Sequence, residues 1–157
     1  MRPWAARTIR AFAIVNVLLV MYGLYLLVGT VLRHYGLPPY PGAPAYYHQA
    51  FYGRSIINLL FLLALLAGSR FLWRLKRAGL VICTVVFALE ILYFVGEAVL
   101  AIILWTVGGK AALFDLALGA TAGTGNMGIA PQLLTGYPII ALIALNIAYR
   151  KLHRPKA

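Results

Sequence analysis

The chain has 157 residues, of which 63% are hydrophobic and only 11% are charged. Soluble domains are about 45–50% apolar and about 25% charged, so this chain has too few charges to cover a water-soluble surface. The net charge of +11 comes from short Lys and Arg clusters between long uncharged runs. That arrangement is typical of membrane proteins and argues against a basic nucleic-acid-binding face. The single cysteine, Cys83, excludes an intrachain disulfide.

The hydropathy pattern predicts an all-α membrane protein, a four-transmembrane-helix bundle that forms one domain over residues 1–157. The first predicted helix, 11–32, carries no charge and is about 33 Å long, enough for a hydrocarbon core of about 30 Å. It is longer than the apolar part of a cleaved signal peptide, so we expect it to remain as a membrane anchor.

The second helix is predicted over 50–69, but Arg54 and Arg70 leave only 15 uncharged residues between them. A helix of that length spans about 22 Å, which is too short for the bilayer. We therefore expect this helix either to begin near His48 or to continue to Trp73, because long Arg side chains can reach the interface.

The third and fourth helices are predicted over 80–106 and 131–149. The third is about 40 Å long and must tilt or project beyond the bilayer. In the fourth, Pro131 suits a first helical position, and Pro138 predicts a kink because it cannot donate a backbone hydrogen bond. The outer loops would then be 33–49 and 107–130.

The basic residues predict the orientation of these helices. The N-terminus, the connection between the second and third helices, and the C-terminal tail hold 3 + 4 + 4 = 11 Lys and Arg residues, whereas the opposite side holds 3. The positive-inside rule then puts the N- and C-termini in the cytoplasm. The location we expect is the bacterial inner membrane, as a multi-pass protein.

Two acids inside the third helix are the most informative polar residues. Glu90 and Glu97 are seven residues apart, so they share one helix face about 10.5 Å apart along the axis. Acids at such depth are costly, and they either mark ion or proton paths or hold helices together. We predict an intramembrane polar site of Glu90, Glu97, Arg54 and Asn58, in which Arg54 pairs with Glu97 and Glu90 is uncharged.

The first outer loop is rich in proline and aromatic residues. Its prolines forbid a continuous helix, and its tyrosines suit the headgroup region of a bilayer. His34, His48, Tyr46 and Tyr47 form a candidate outer-loop site. No carboxylate accompanies the two histidines, so we expect no metal there.

A basic and aromatic cluster lies between the second and third helices. It consists of Arg70, Trp73, Arg74, Lys76 and Arg77. Such clusters attract anionic headgroups, so we expect anionic lipids on the cytoplasmic face as partners. The cluster is also a topology determinant.

Small and amide-bearing residues are candidates for contacts between helices. Side-chain amides at Asn16, Asn58 and Asn146 are expected to bond across helices. Two pairs of small residues with helical spacing, Ala64-x-x-x-Gly68 and Ala144-x-x-x-Ala148, would permit close helix approach.

No catalytic motif is present in the sequence. The Gly123–Gly128 stretch matches G-x-G-x-x-G, but neither a preceding strand nor a following acid supports dinucleotide binding.

We therefore expect a non-enzymatic structural or accessory subunit without a cofactor, acting as a homo-oligomer or with a membrane-complex partner. The alternatives are a small transporter or proton-coupled module using Glu90 and Glu97, and a membrane redox or lipid-acting enzyme subunit with its site under the outer aromatic loop.

Overall fold

The described part of the chain folds into four α-helices. The computed structural model describes residues 3–36, 38, 45, 47–93, 95–96, 99, 103, 106 and 131–153. The helices are α1 (Pro3–His34), α2 (Tyr47–Trp73), α3 (77–93) and α4 (Pro131–His153), and residues 95–96, 99, 103 and 106 are helical as well. The all-helical fold with four helices is therefore confirmed for these residues.

The helices extend beyond the hydropathy limits, mainly at their basic ends. α1 begins eight residues before the expected start, and α4 continues to His153. α2 both begins near His48 and continues to Trp73, so it extends in the two directions that Arg54 and Arg70 allow. Its 27 residues span about 40 Å. α4 begins at Pro131, as its proline predicts, and contains Pro138.

α2 ends in a turn that is stabilised by two backbone hydrogen bonds and that connects it to α3. Leu75 adopts a left-handed conformation with φ 55°. Its amide donates to the carbonyl of Leu72 at 2.8 Å, and the amide of Lys76 donates to the carbonyl of Phe71 at 3.0 Å. This pattern, a Schellman motif, satisfies carbonyls that the helix end would otherwise leave unpaired. It turns the chain directly into α3.

α1 packs against both α2 and α4, and each pair runs antiparallel. Residues 10 and 73 meet at one end of the α1–α2 pair, where the Arg10 guanidinium lies 5.7 Å from the centre of the Trp73 ring. Further along, a Cβ atom at Gly23 would lie 2.8 Å from a methyl group of Leu62. In the α1–α4 pair, the Lys151 ammonium lies 5.3 Å from the centre of the Trp4 ring.

α3 completes the arrangement by packing against α2 and α4. A Cβ atom at Gly68 would lie 2.7 Å from Sγ of Cys83, so the backbones of α2 and α3 approach closely there. The small residue of the Ala64-x-x-x-Gly68 pair therefore permits the approach expected of it. On the other side, the rings of Phe87 and Tyr137 meet edge to face with centres 5.8 Å apart.

The interior contains small and polar residues beside a core of apolar side chains, and many other large apolar side chains face outward. Fully or nearly fully buried positions include Asn16, Ser55, Asn58, Ser69, Cys83, Ala13, Ala141 and Ala148. Leu18, Leu60 and Ile140 are instead about three-fifths exposed. The buried serines donate to carbonyls one turn earlier, Ser55 to Phe51 at 2.9 Å and Ser69 to Leu65 at 2.6 Å. Large apolar side chains such as Ile9, Phe87 and Leu145 are buried as well, so the helices meet through both close backbone approach and apolar packing.

Two helices in the described part of the chain are long and apolar enough to cross a membrane. They are Pro3–Arg33 within α1, with a mean hydropathy of 2.3, and Phe51–Trp73 within α2, with a mean hydropathy of 1.9.

Candidate functional site

The interior polar cluster joins α1, α3 and α4 through Asn16, Cys83 and Tyr137. The Asn16 amide nitrogen donates to Sγ of Cys83 at 3.8 Å, and the Tyr137 hydroxyl donates to Oδ1 of Asn16. Asn16 is fully buried, so these bonds replace the water that its amide gives up. The expectation that Asn16 bonds across helices is confirmed.

Aromatic rings surround the Tyr137 side of this cluster. The Phe12 ring lies 6.3 Å from the Tyr137 ring at a tilt of 41°, and Phe87 packs against Tyr137 edge to face. Phe87 is fully buried. Tyr137 and Phe12 are half-buried, so these rings partly shield the Tyr137–Asn16 hydrogen bond, and a low local dielectric strengthens such a bond.

Glu90 lies on the same face of α3 as Cys83, two helical turns further on. Its side chain is half-buried and lies close enough to Cys83 and Tyr137 for a charge on the carboxylate to act on both groups. It makes no salt bridge with any residue in the described part of the chain. Arg77, the nearest basic residue before it on α3, is 13 residues away, about 20 Å along the axis. Glu90 therefore extends the polar cluster, and it has no cationic partner within the described part of the chain.

The other members of the predicted intramembrane site are resolved only in part. Asn58 is buried on α2. Glu97 and the side chain of Arg54 lie outside the described residues, so their pairing stays a prediction. The expectation for Asn146 is wrong, because its amide donates at 2.8 Å to the carbonyl of Leu142 in its own helix.

The outer-loop candidates fall largely outside the described part of the chain. Tyr46 and the side chains of His34 and Tyr47 lie outside it, as do residues 37 and 39–44 of the first loop and all of loop 107–130. His48 is half-buried in the first turn of α2. Among the described residues, no three His, Cys, Asp or Glu side chains lie together in a way that holds a metal ion.

The predicted basic cluster lies at one end of the helices. Arg70, Trp73, Arg74, Lys76 and Arg77 are all exposed, and the contacts of Arg10 with Trp73 and of Lys151 with Trp4 bring the ends of α1, α2 and α4 to that same end. Basic residues that are far apart in the sequence therefore form one positively charged surface, here called the basic end.

No protein-family model, curated protein sequence or solved structure matches this chain. The assignment of function therefore depends on the residues and their geometry alone.

Sequence reasoning missed two of the three residues in the interior cluster. A single cysteine in an apolar run predicts only a small buried hydrophobe at Cys83, and no prediction includes Tyr137. Cys83 is indeed buried, but its sulfur also accepts a hydrogen bond. The available signal for Tyr137 was a phenol inside an apolar helical run, next to Pro138. A phenol in such a place needs a hydrogen-bond partner.

The cluster has the chemistry of a structural contact. An amide, a thiol and a phenol satisfy one another, and within the described residues no histidine or lysine lies beside the thiol or the phenol to act as a base. Nucleophilic catalysis is not what this arrangement supports. Glu90, which makes no salt bridge within the described residues, is an acid that can take up and release a proton.

Proposed function

We propose that this protein is an integral membrane protein whose four helices all span the bilayer, with both termini in the cytoplasm. The observation that supports this most strongly is the location of its apolar side chains. In α1, only 28% of the most apolar 18-residue stretch is buried within the protein. In α2, the buried share of the corresponding stretch is 33%. The core helix of a soluble domain would be mostly buried.

The exposed apolar surface covers all four helices. Ile14, Leu60, Leu92 and Ile143 are each half exposed or more, one on each helix. Monomeric soluble proteins rarely expose contiguous apolar patches larger than a few hundred Å², whereas lipid solvates such a surface. The buried small and polar residues, among them Ala13, Asn16 and Ser69, are of the kind that brings helices together in lipid through close packing and hydrogen bonds.

The basic end supports the proposed orientation. The start of α1, the α2–α3 connection and the end of α4 all lie at this end. Together with the flanking termini, these segments hold 11 of the 14 Lys and Arg residues. The positive-inside rule puts this end in the cytoplasm. In bacteria, the membrane that borders the cytoplasm is the inner membrane.

Within this membrane, we propose a non-enzymatic structural or accessory role, as a homo-oligomer or as a subunit of a larger complex. The interior polar groups Asn16, Cys83 and Tyr137 bond to one another, so they hold the helices in register and leave no reactive group exposed between them. Purification in a mild detergent tests the role. A stable partner or a defined oligomer at the measured mass supports it, whereas an absorbing cofactor in the visible spectrum supports a redox enzyme instead.

Membrane insertion and orientation are tested by extraction and labelling. The protein should resist alkaline carbonate, and a cysteine introduced at Gly42 or Ala122 in a Cys83→Ala background should react with an impermeant maleimide in intact cells. Cysteines placed at either terminus should not react. Release by carbonate would exclude the transmembrane proposal, and labelling of both termini from outside would exclude the orientation.

The second candidate function is a proton-coupled or transport module, and Glu90 is the observation that favours it. An unpaired acid inside a helix assembly is the usual mark of a proton or ion path. Reconstituted liposomes should then show proton-dependent uptake that is lost in Glu90→Gln. Unchanged uptake in that variant would leave the acid with a structural role only.

A further inference from the structure

A groove runs along the outer side of the contact between α1 and α2 and opens at the basic end. Its volume is about 940 Å³, near the upper limit of sites that hold small molecules. Ile14 and Leu18 of α1 and Leu63 and Leu66 of α2 form its apolar walls. At the basic end it is lined by Arg70 and Arg74.

The floor of the groove is made of small residues without a free polar group. Ala13 and Ser69 are buried there, and Ala67 completes the floor. The Ser69 hydroxyl is used in its bond to the Leu65 carbonyl at 2.6 Å. An alkyl chain can therefore lie against this floor without covering an unsatisfied hydrogen-bonding group.

The length of the groove matches one leaflet of a bilayer. From Trp73, the last residue of α2, to Leu63 it follows ten residue steps, about 15 Å along the helix axis. Half of a hydrocarbon core of about 30 Å is about 15 Å. Beyond Leu63 the helices meet at Gly23 and Leu62, and the groove ends there.

The mouth of the groove carries positive charge without a neighbouring acid. Arg70 and Arg74 are exposed, and Arg10 adds a third guanidinium beside the exposed ring of Trp73. Glu90 is the acid that the described part of the chain contains, and it lies on the interior face of α3. Guanidinium groups bind phosphate oxygens through two parallel hydrogen bonds. Trp73 suits the headgroup level of a bilayer.

We propose that the α1–α2 groove is a binding site for one anionic glycerophospholipid of the cytoplasmic leaflet. One of its two acyl chains lies between α1 and α2, and its phosphate-bearing headgroup binds Arg70 and Arg74. This inference rests on the proposed membrane location and goes beyond a general attraction of the basic end for anionic lipids, because it assigns one groove, one leaflet and two arginines.

Lipid binding by the purified protein tests the site. After delipidation in mild detergent, phosphatidylglycerol or phosphatidylcholine with identical acyl chains is added, and native mass spectrometry counts the bound lipids. The wild-type protein should retain one phosphatidylglycerol in preference to phosphatidylcholine. Arg70→Gln with Arg74→Gln should weaken this binding about 30-fold, since each basic residue near the surface adds about fivefold.

Two matched controls separate the groove from the total charge. Arg7→Gln with Arg150→Gln removes the same charge from the same end at two exposed residues outside the groove, and it should retain the lipid. Ala67→Phe fills the groove without changing the charge and should lose the lipid. Ala88→Phe, at an exposed alanine of α3, should not.

The outcomes distinguish this inference from the proposed function. Equal retention of the two lipids, equal loss in the two arginine pairs, or full retention by Ala67→Phe would each overturn the groove site while carbonate resistance is kept. A dimer that covers the groove and holds no lipid would overturn it as well. Release of the wild-type protein by carbonate would instead overturn the membrane proposal itself.

Discussion

The hydroxyl of Tyr137 donates a hydrogen bond to Oδ1 of Asn16, and this bond joins the last helix to the first inside the helix assembly. The other half of the Asn16 amide is bonded to Cys83 of α3. One buried side chain therefore holds three helices together.

Removing the Tyr137 hydroxyl should destabilise the protein by about 1–3 kcal/mol, the cost of leaving a buried acceptor unsatisfied. Tyr137→Phe keeps the ring contacts with Phe12 and Phe87, so the loss reports the hydrogen bond. Thermal melting in detergent measures it. Tyr25→Phe, at a tyrosine three-quarters exposed on α1, is the matched control and should melt as the wild type does.

The same pair gives a coupling measurement. In Asn16→Leu the acceptor is absent, so adding Tyr137→Phe should cost much less than it does in the wild-type background. If the two losses simply add, the hydrogen bond contributes nothing to stability and the cluster is only a packing contact.

Substitution of Gly68 by alanine should force α2 and α3 apart. The new Cβ atom would lie 2.7 Å from Sγ of Cys83 and 3.0 Å from a methyl group of Ile82, and overpacking of this kind costs about 1–3 kcal/mol. Gly53→Ala is the control, because no atom lies within 4 Å of its Cβ position, and it should be neutral or up to about 1 kcal/mol more stable. A lower melting temperature for Gly53→Ala than for Gly68→Ala would contradict the packing described here.

Proline at Leu75 should disrupt the connection between α2 and α3. Proline fixes φ near −65°, far from the 55° observed, and it removes the amide that donates to Leu72. We expect a loss of about 3 kcal/mol or more, measured by melting. Arg77→Pro, two residues further on at the first position of α3, should be tolerated because proline suits that position. Similar melting of the two variants would show that the turn is not needed.

Glu90→Gln should fold with unchanged stability. The acid has no salt bridge within the described part of the chain, so we expect it to be uncharged at neutral pH, and glutamine then replaces it with the same size and no charge. Infrared difference spectra should show that a protonated carboxyl band of the wild type disappears in the variant. Disappearance of an ionised carboxylate band instead would show that Glu90 is charged.

The helices and the basic end could be predicted from the sequence because both depend on local properties. Runs of apolar residues give the helices, and the positions of Lys and Arg give the end at which they gather. The limits of α2 could not be decided, because Arg54 and Arg70 allowed either extension and the helix takes both. Their long side chains do not force a helix to stop.

The interior cluster could be predicted only in part. The amide of Asn16 was expected to bond across helices, but its partners depend on which faces of α3 and α4 turn inward. Rotation of a helix about its axis is set by packing with neighbours, as the close approach at Gly68 shows, and a single sequence does not contain that information. The same uncertainty explains Asn146, whose amide bonds within its own helix.

The separation of Asn16 and Tyr137 along the chain has a consequence for biogenesis. They are 121 residues apart, so the phenol leaves the ribosome only after α1, α2 and α3 have been made. α2 and α3, joined by the Leu75 turn, can associate as soon as both have emerged, whereas the first helix must wait with its amide acceptor unsatisfied. A chain that stops before α4 therefore carries an exposed defect in α1, which quality-control proteases can recognise.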